Sequence, residues 1–316
     1  MKAFHVTNPG ILTTYQDLGR PGFRKYGIPQ SGAMDSLALR VANLLVGNQE
    51  STVGLEITLQ GLKMEALAPL PVAVTGADLQ FTVNTEYYPP WRSVQLKAGD
   101  HIHFKSRKTG LRAYLAVRGG LKAPIFLGSG SVFRRGSMGE ALRKGEILEV
   151  SDVTPLDIYA RSIPDQYIPK TADRSRVRVV LGPQTEAFTQ DGIATFLSSE
   201  YRIKPQSDRM AYRLEGPRVT HRAQADIISE PVIPGSIQVP SDGLPIVLMA
   251  DGQVTGGYVK IAHVISADMS LLSQVMPGEH VRFEAVDLDR AYQLLEATER
   301  LLLWLRLGSA GSGSPQ

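Results

Sequence analysis

The feature that most constrains this chain is that it repeats itself. Gln30-Ser31-Gly32-Ala33-Met34 recurs as Gln206-Ser207-Asp208-Arg209-Met210, an offset of 206 − 30 = 176. Leu70-Pro71-Val72-Ala73-Val74, soon followed by Ala77-Asp78, is echoed by Leu244-Pro245-Ile246-Val247-Leu248, soon followed by Ala250-Asp251, at 244 − 70 = 174. Gly99-Asp100-His101-Ile102-His103-Phe104 returns as Gly278-Glu279-His280-Val281-Arg282-Phe283 at 278 − 99 = 179. The alternative is strand composition shared by chance. Three echoes in one order at nearly one offset read instead as two structurally similar halves.

The 316 residues are enough for two domains, and 30 Gly and 20 Pro punctuate short β-branched runs. Pro71–Val74, Asp100–Phe104, Leu111–Val117, Arg176–Leu181, Ile246–Met249 and His280–Phe283 read as strands. Many short strands with Gly and Pro turns point to barrels or sandwiches, so the expected class is mainly β with a few helices. One helix is expected over Ser36–Val46, capped by Asp35 or Ser36, with Leu37, Val41, Leu44 and Leu45 as its stripe. A second is expected over about Arg290–Leu307, with Asp289 as N-cap and Ala291, Leu294, Leu295, Thr298, Leu301, Leu302 and Leu305 as its buried face. The expected organisation is an N-terminal half over 1–150, a Pro-containing linker over 151–175, a C-terminal half with its terminal helix over 176–307, and a flexible Gly/Ser tail over 308–316.

Composition removes several classes of function. Thirty-four basic against 31 acidic side chains gives +3, scattered without the clustered basic face that nucleic acid needs. The chain has no cysteine, hence no disulfide, thiolate metal site or cysteine nucleophile. The first residues have no apolar run of a leader, and no apolar stretch is long enough to span a bilayer, so a cytoplasmic protein is expected. P-loop, nucleophile-elbow and H-E-x-x-H motifs are all missing. His101 and His103 share one strand face, a spacing some zinc sites use. No third ligand lies nearby in sequence, so a solvent-facing strand is the better reading and no metal is expected.

The polar motifs lie in turn-rich segments. Thr14–Gly22 holds Asp17 and Arg20 in a tight Gly-Pro-Gly loop, close enough to pair or to face one ligand. Gly27–Asp35 enters the first helix, whose free N–H groups suit an anion or the capping Asp35, and Arg40 and Asn43 follow on one helical face. Ser207–Leu214 gathers Ser207, Asp208, Arg209 and Arg213. Asp251–Lys260 sets Asp251, Thr255, Tyr258 and Lys260 around paired glycines that let a ligand approach the backbone. Residue type assigns acid or base roles to Asp17, Asp208 and Asp251. It assigns recognition of an anion or amide to Arg20, Arg40, Arg209 and Lys260, with Ser31, Ser207, Thr255 and Tyr258 as hydroxyl partners.

Thr14–Gly22, Gly27–Asp35 with Leu37–Asn48, Ser207–Gly216, Pro234–Pro240 and Asp251–Tyr258 together resemble the bacterial 5-oxoprolinase C-subunit family. That family is also called allophanate hydrolase subunit 2 or the biotin-dependent carboxyltransferase domain, and it includes the antagonist of a sporulation kinase inhibitor. The resemblance runs from about residue 3 to 290. It implies two tandem cyclophilin-like β-barrel subdomains and subunit-B-like and subunit-A-like partners. It also implies conversion of 5-oxoproline to glutamate with ATP hydrolysed in the assembled complex, this chain being inactive alone. Two other functions fit it: a regulatory protein that binds a kinase inhibitor, and the carboxyltransferase of a biotin-dependent urea or amide carboxylase. This sequence has no Ala-Met-Lys-Met biotin-attachment segment. It departs from the family pattern at Gly130 and Gly252, where Arg is usual, at Val132 and Val254, where Thr is usual, and at Ala211, where Gly is usual.

Overall fold

The computed structural model describes residues 1–151, 161–169, 174–182 and 184–310. The chain divides into two compact units. The first holds Met1–Arg20, Asp35–Pro169 and Glu299–Gln316; the second holds Pro21–Met34 and Lys170–Thr298.

In the first unit the elements run β1 (Lys2–Pro9), β2 (Leu12–Gln16), α1 (Ser36–Leu45), β3 (Gly54–Thr58), β4 (Leu62–Ala66), β5 (Leu70–Asp78), β6 (Phe81–Val83), β7 (Glu86–Tyr87), β8 (Arg92–Leu96), β9 (His101–Phe104), β10 (Thr109–Val117) and β11 (Ile147–Glu149). They form two sheets, ordered β11-β1-β4-β9-β6-β7 and β2-β3-β10-β5-β8. The sheets share one core of Phe4, Val6, Met64, Phe81, Ile102 and Phe104 with Leu55, Ile57, Val72, Val74 and Leu115. Strand β9 alternates, with His101 out and Ile102 and Phe104 in, as expected of a half-buried strand. Strands β5 and β10 are buried almost throughout because α1 covers their outer face. That is why their sequences read as continuous apolar runs.

Asp35 caps α1, its Oδ1 accepting from Ala38 N at 2.9 Å, and Gly47 ends it at φ 75°. A buried polar cluster lies under this helix start. Tyr114 Oη donates to Glu56 Oε2 at 2.7 Å and accepts from Asp35 N at 2.8 Å, while Arg112 sits 3.8 Å from Glu56. Burial and the Glu56 charge hold the Tyr114 phenol far above its usual pKa. Arg40 belongs to an ion-pair cluster: Nε meets Glu50 at 2.6 Å, both terminal nitrogens meet Glu299 at 2.7 and 2.8 Å, and Arg306 bonds Glu50. Of the expected linker, residues 161–169 belong to this unit. Arg161 O accepts from Ser93 N at 2.8 Å and Ile163 is buried; most of the remainder lies outside the described residues.

In the second unit the order is β12 (Arg174–Leu181), α2 (Gln190–Ser198), β13 (Glu200–Ile203), β14 (Ala211–Glu215), β15 (Asp226–Pro231), β16 (Ser236–Gln238), β17 (Ile246–Leu248), β18 (Thr255–Tyr258), β19 (Lys260–Val264), α3 (Ser266–Ser273), β20 (His280–Ala285) and α4 (Leu288–Ala310), whose last turns belong to the first unit. Seven strands close a barrel in the order β12-β19-β16-β17-β14-β13-β20, sealed by the parallel pair β12–β20. Strands β15 and β18 form a separate two-stranded ribbon. Phe196 of α2 stacks on Phe283 at 4.7 Å inside the barrel.

The class expected from sequence, mainly β with a few helices in two similar halves, is the one observed. One repeat survives as matched turns. Gly99 and Gly278 both adopt positive φ, and Asp100 and Glu279 accept from Lys97 N (2.7 Å) and Met276 N (2.8 Å). The terminal helix differs in its ends. Its cap is Asp287, whose Oδ1 accepts from Arg290 N at 2.8 Å, rather than Asp289, because the N3 amide it reaches is three residues on. The helix continues through Gly308 to Ala310, and 311–316 lie outside the described residues. The seven residues expected on its buried face are all buried or half-buried.

Two tests follow from the first unit. Tyr114→Phe leaves the buried Glu56 carboxylate and Asp35 N–H without this hydroxyl and costs about 1–3 kcal/mol, read as a lower urea midpoint. Arg40 bonding also holds the Glu50 and Glu299 carboxyls below their ordinary 4.5. A depressed carboxyl stabilises the fold above its unfolded value and loses that contribution as pH falls through the folded value. Arg40→Leu therefore lowers the melting temperature near neutral pH, and its deficit shrinks as the pH drops below 4.5.

Candidate functional site

In the second unit three sequence motifs meet on one carboxylate. Asp251 leaves β17 with its backbone N–H donating to Arg209 O at 2.9 Å, which lays the residues before β14 beside it. Arg209 then donates Nε to Asp251 Oδ2 at 2.8 Å and Nη2 to Oδ1 at 2.9 Å, a two-pronged pair whose planar geometry suits a carboxylate. The same Nη2 donates to Gly32 O at 2.5 Å, and Ser31 Oγ donates to Asp251 Oδ1. Ser31 and Gly32 are both left-handed, φ 59° and 96°. That conformation costs a serine about 1–2 kcal/mol, so the side-chain bond to Asp251 holds it there. Met34 enters the barrel core and Arg24 bonds Val232 O. Segment Pro21–Met34 is thus fastened to the second unit although its sequence lies in the N-terminal half.

This knot is buried: Ser31 is 8% exposed and Asp251 6%. It sets a hydroxyl on a carboxylate that a third group orients, the arrangement used to direct an alcohol nucleophile. A carboxylate gripped by a guanidinium is a weak proton acceptor, so Asp251 orients the hydroxyl more than it deprotonates it.

The other expected residues lie apart from the knot. Asp208 Oδ1 accepts from Met210 N at 2.8 Å and Ala211 N at 3.3 Å, closing its own turn. Ser207 exchanges hydrogen bonds with the Arg213 backbone. Lys260 pairs with Glu230, which also accepts from Gln184 Nε2 at 2.5 Å; Lys260 holds the Glu230 carboxyl below its usual range. Thr255 and Tyr258 sit exposed at the two ends of β18. Gly256 between them is required, because a Cβ there would lie 2.4 Å from the buried Gln238 side chain.

In the first unit Asp17 and Arg20 address one loop instead of each other. Asp17 Oδ1 accepts from Gly19 N (2.7 Å), Ser129 Oγ (2.6 Å) and Ser131 Oγ (2.5 Å), and Oδ2 accepts from Gly130 N (2.7 Å). The fully buried Arg20 bonds Phe126 O and Ser131 O. Four donors occupy the Asp17 carboxylate, so it anchors residues 126–131. At Gly130 a side chain would meet Val53 Cγ2 at 2.8 Å, so the loop packs as though built for glycine. Arg40 gives its guanidinium to the ion-pair cluster, a structural use in place of ligand binding.

Sequence reasoning passed over a cleft in this unit of about 690 Å³, lined among others by Tyr15, Arg143, Lys144 and Glu146. Tyr15 lies inside one of the polar motifs but reads there as a strand aromatic. Arg143-Lys144-Gly145-Glu146 reads as a solvated turn. Among the described residues no group of three or more His, Asp or Glu is placed to hold a metal, and no helix is long and apolar enough to cross a membrane.

Residues 26–285 match the family described as carboxyltransferase domain, subdomain A and B. The 5-oxoprolinase C-subunit of Escherichia coli (strain K12) is 36% identical over 297 residues, 93% of this chain and 95% of that protein. The urea amidolyase of Lachancea kluyveri is 31% identical over 97% of this chain but only 18% of its own length. Among solved structures, the Kluyveromyces lactis urea carboxylase aligns with TM-score 0.90 at 30% identity, covering 98% of this chain and 30% of that one. TTHA0988 aligns with TM-score 0.82 at 33% identity. This chain spans 55% of TTHA0988.

The Asp17 anchor makes a direct prediction. In Asp17→Asn an amide NH₂ faces donors that need an acceptor, so residues 126–131 loosen and stability falls by about 1–3 kcal/mol. Hydrogen exchange should rise in that loop, with strands β5 and β10 unchanged; an unchanged loop would remove the anchoring role.

Proposed function

This chain belongs to the carboxyltransferase domain family, subdomains A and B, and we propose that it serves as the C-subunit of a cytoplasmic, ATP-driven 5-oxoprolinase that opens 5-oxo-L-proline to L-glutamate. Its partners in that reading are subunit-B-like and subunit-A-like proteins, and the chain is inactive alone. The observation that carries the reading is the nearly end-to-end match at 36% identity to two proteins named as 5-oxoprolinase C-subunits. The matches to urea amidolyases cover less than a fifth of those proteins.

Ring opening breaks the lactam C–N bond and adds water across it. That demands a polarised carbonyl, an oriented oxygen nucleophile and charge stabilisation. Ser31, Arg209 and Asp251 are the residues of this chain best arranged to contribute: an oriented hydroxyl and a guanidinium on a buried carboxylate. A triphosphate needs several converging N–H or cationic groups. The knot holds one guanidinium already neutralised by Asp251, so its residues do not fit ATP, and nucleotide binding is assigned to the assembled complex.

A second reading, carboxyl transfer to an amide, is favoured by the TM-score of 0.90 to urea carboxylase. The two separate on substrate.

The test is co-purification with the candidate partners, followed by glutamate release from 5-oxoproline and ATP with and without this chain. All components should be required. Arg209→Ala should assemble normally yet lose roughly 100-fold or more in turnover. Full activity without this chain would remove the enzymatic reading. Assembly without turnover would favour regulatory binding.

A further inference from the structure

The first unit's cleft, of about 690 Å³, lies within the roughly 300–1,000 Å³ range of small-ligand sites. It is built on residues with fixed positions. Tyr15 is buried at 7% exposure, yet its ring lines the cleft and its hydroxyl donates to Glu146 Oε1 over a long 3.4 Å. Glu146 is held in turn, Oε2 accepting from Arg143 N at 2.9 Å. The tip of that turn is pinned by Gly145, which adopts φ 87° and donates its N–H to Val6 O at 2.7 Å. This turn presents Arg143 and Lys144 to the cleft.

The charges sort into used and unused. Lys122 is within 3.8 Å of Glu149. The Arg143 and Lys144 side chains make no ion pair or hydrogen bond with any described residue, although Glu140 lines the same space. Val132 and Ile147 supply apolar wall between the charged and phenolic ends. Burial and Glu146 push the Tyr15 phenol up, so it keeps its proton and remains a donor. The cleft therefore offers cations at one place, a phenol donor and a carboxylate acceptor at another, and a ring-sized apolar wall.

We propose that this cleft binds a small metabolite carrying a carboxylate and an adjacent N–H, the chemistry shared by 5-oxo-L-proline and L-glutamate. Arg143 and Lys144 take the ligand carboxylate, Glu146 accepts its N–H, and Tyr15 donates to its oxygen. The choice of these two molecules rests on the function proposed above; the carboxylate and N–H chemistry rests on the cleft alone.

The test is calorimetric titration of the full chain, without partners or ATP, using 5-oxo-L-proline, L-glutamate and 2-pyrrolidinone, a lactam lacking the carboxylate. One of the first two should bind, and which one identifies the ligand as substrate or product. 2-Pyrrolidinone should bind at least tenfold more weakly. The doubly substituted Arg143→Ala/Lys144→Ala chain, altered only on an exposed turn, should lose roughly tenfold or more in affinity. Tyr15→Phe, which keeps the ring, should weaken binding without lowering the melting temperature appreciably. Equal binding of 2-pyrrolidinone, unchanged affinity in the double variant, or no binding of either acid at millimolar concentration would overturn the proposal. No binding by this chain beside full turnover of the assembled enzyme would sink the cleft and spare the function. Binding beside an inactive complex would do the reverse.

Discussion

The second unit depends on the Asp251 carboxylate. It is buried, and its acceptor sites go to two Arg209 nitrogens at 2.8 and 2.9 Å and to Ser31 Oγ. A buried ion pair adds little net stability over a well-packed apolar pair, but losing one partner strands a charge and costs several kcal/mol. Such a pair therefore fixes geometry more than it stabilises. Here it fixes a serine in a conformation that serine disfavours, and with it the segment Pro21–Met34. The first unit uses the same device independently, Asp17 drawing in Gly19, Ser129, Gly130 and Ser131. In both units an aspartate at the end of a strand gathers loop donors that no sheet could order.

What was legible in the sequence is what depends on periodicity and on glycine. The β9 and β20 runs with their leading glycines, the α1 stripe with its Asp35 cap, and the buried face of α4 all follow from local rules. Helices α2 and α3 were not visible. The first is short and interrupted by Gly192, and the second has apolar residues scattered around its circumference, so barrel packing and not local pattern makes them helical. The Asp287 cap was missed because Asp289 stands two residues away with the same chemistry.

Residue type marked the polar clusters without showing which groups were already occupied. Ser31, Arg209 and Asp251 come from three motifs and do converge. Arg40 looks the same on paper, yet its nitrogens are taken up by Glu50 and Glu299, the latter 259 residues away. Tyr15 and Arg143 are 128 positions apart (143 − 15) and share the cleft only through tertiary structure. Sequence reasoning finds candidates of the right chemistry; only packing separates a side chain that holds the fold from one that faces a ligand.

That separation matters for function, because the family joins two reactions on amide substrates within one scaffold. If the knot sets the geometry of Ser31, then the polar groups this chain offers are fixed before substrate or partner arrives. Hydrogen-exchange mass spectrometry of Asp251→Asn against the native chain tests this most directly. Exchange in Pro21–Met34 should accelerate about tenfold or more, while barrel strands β12, β19 and β20 keep their protection. Unchanged protection across Pro21–Met34 would contradict the account.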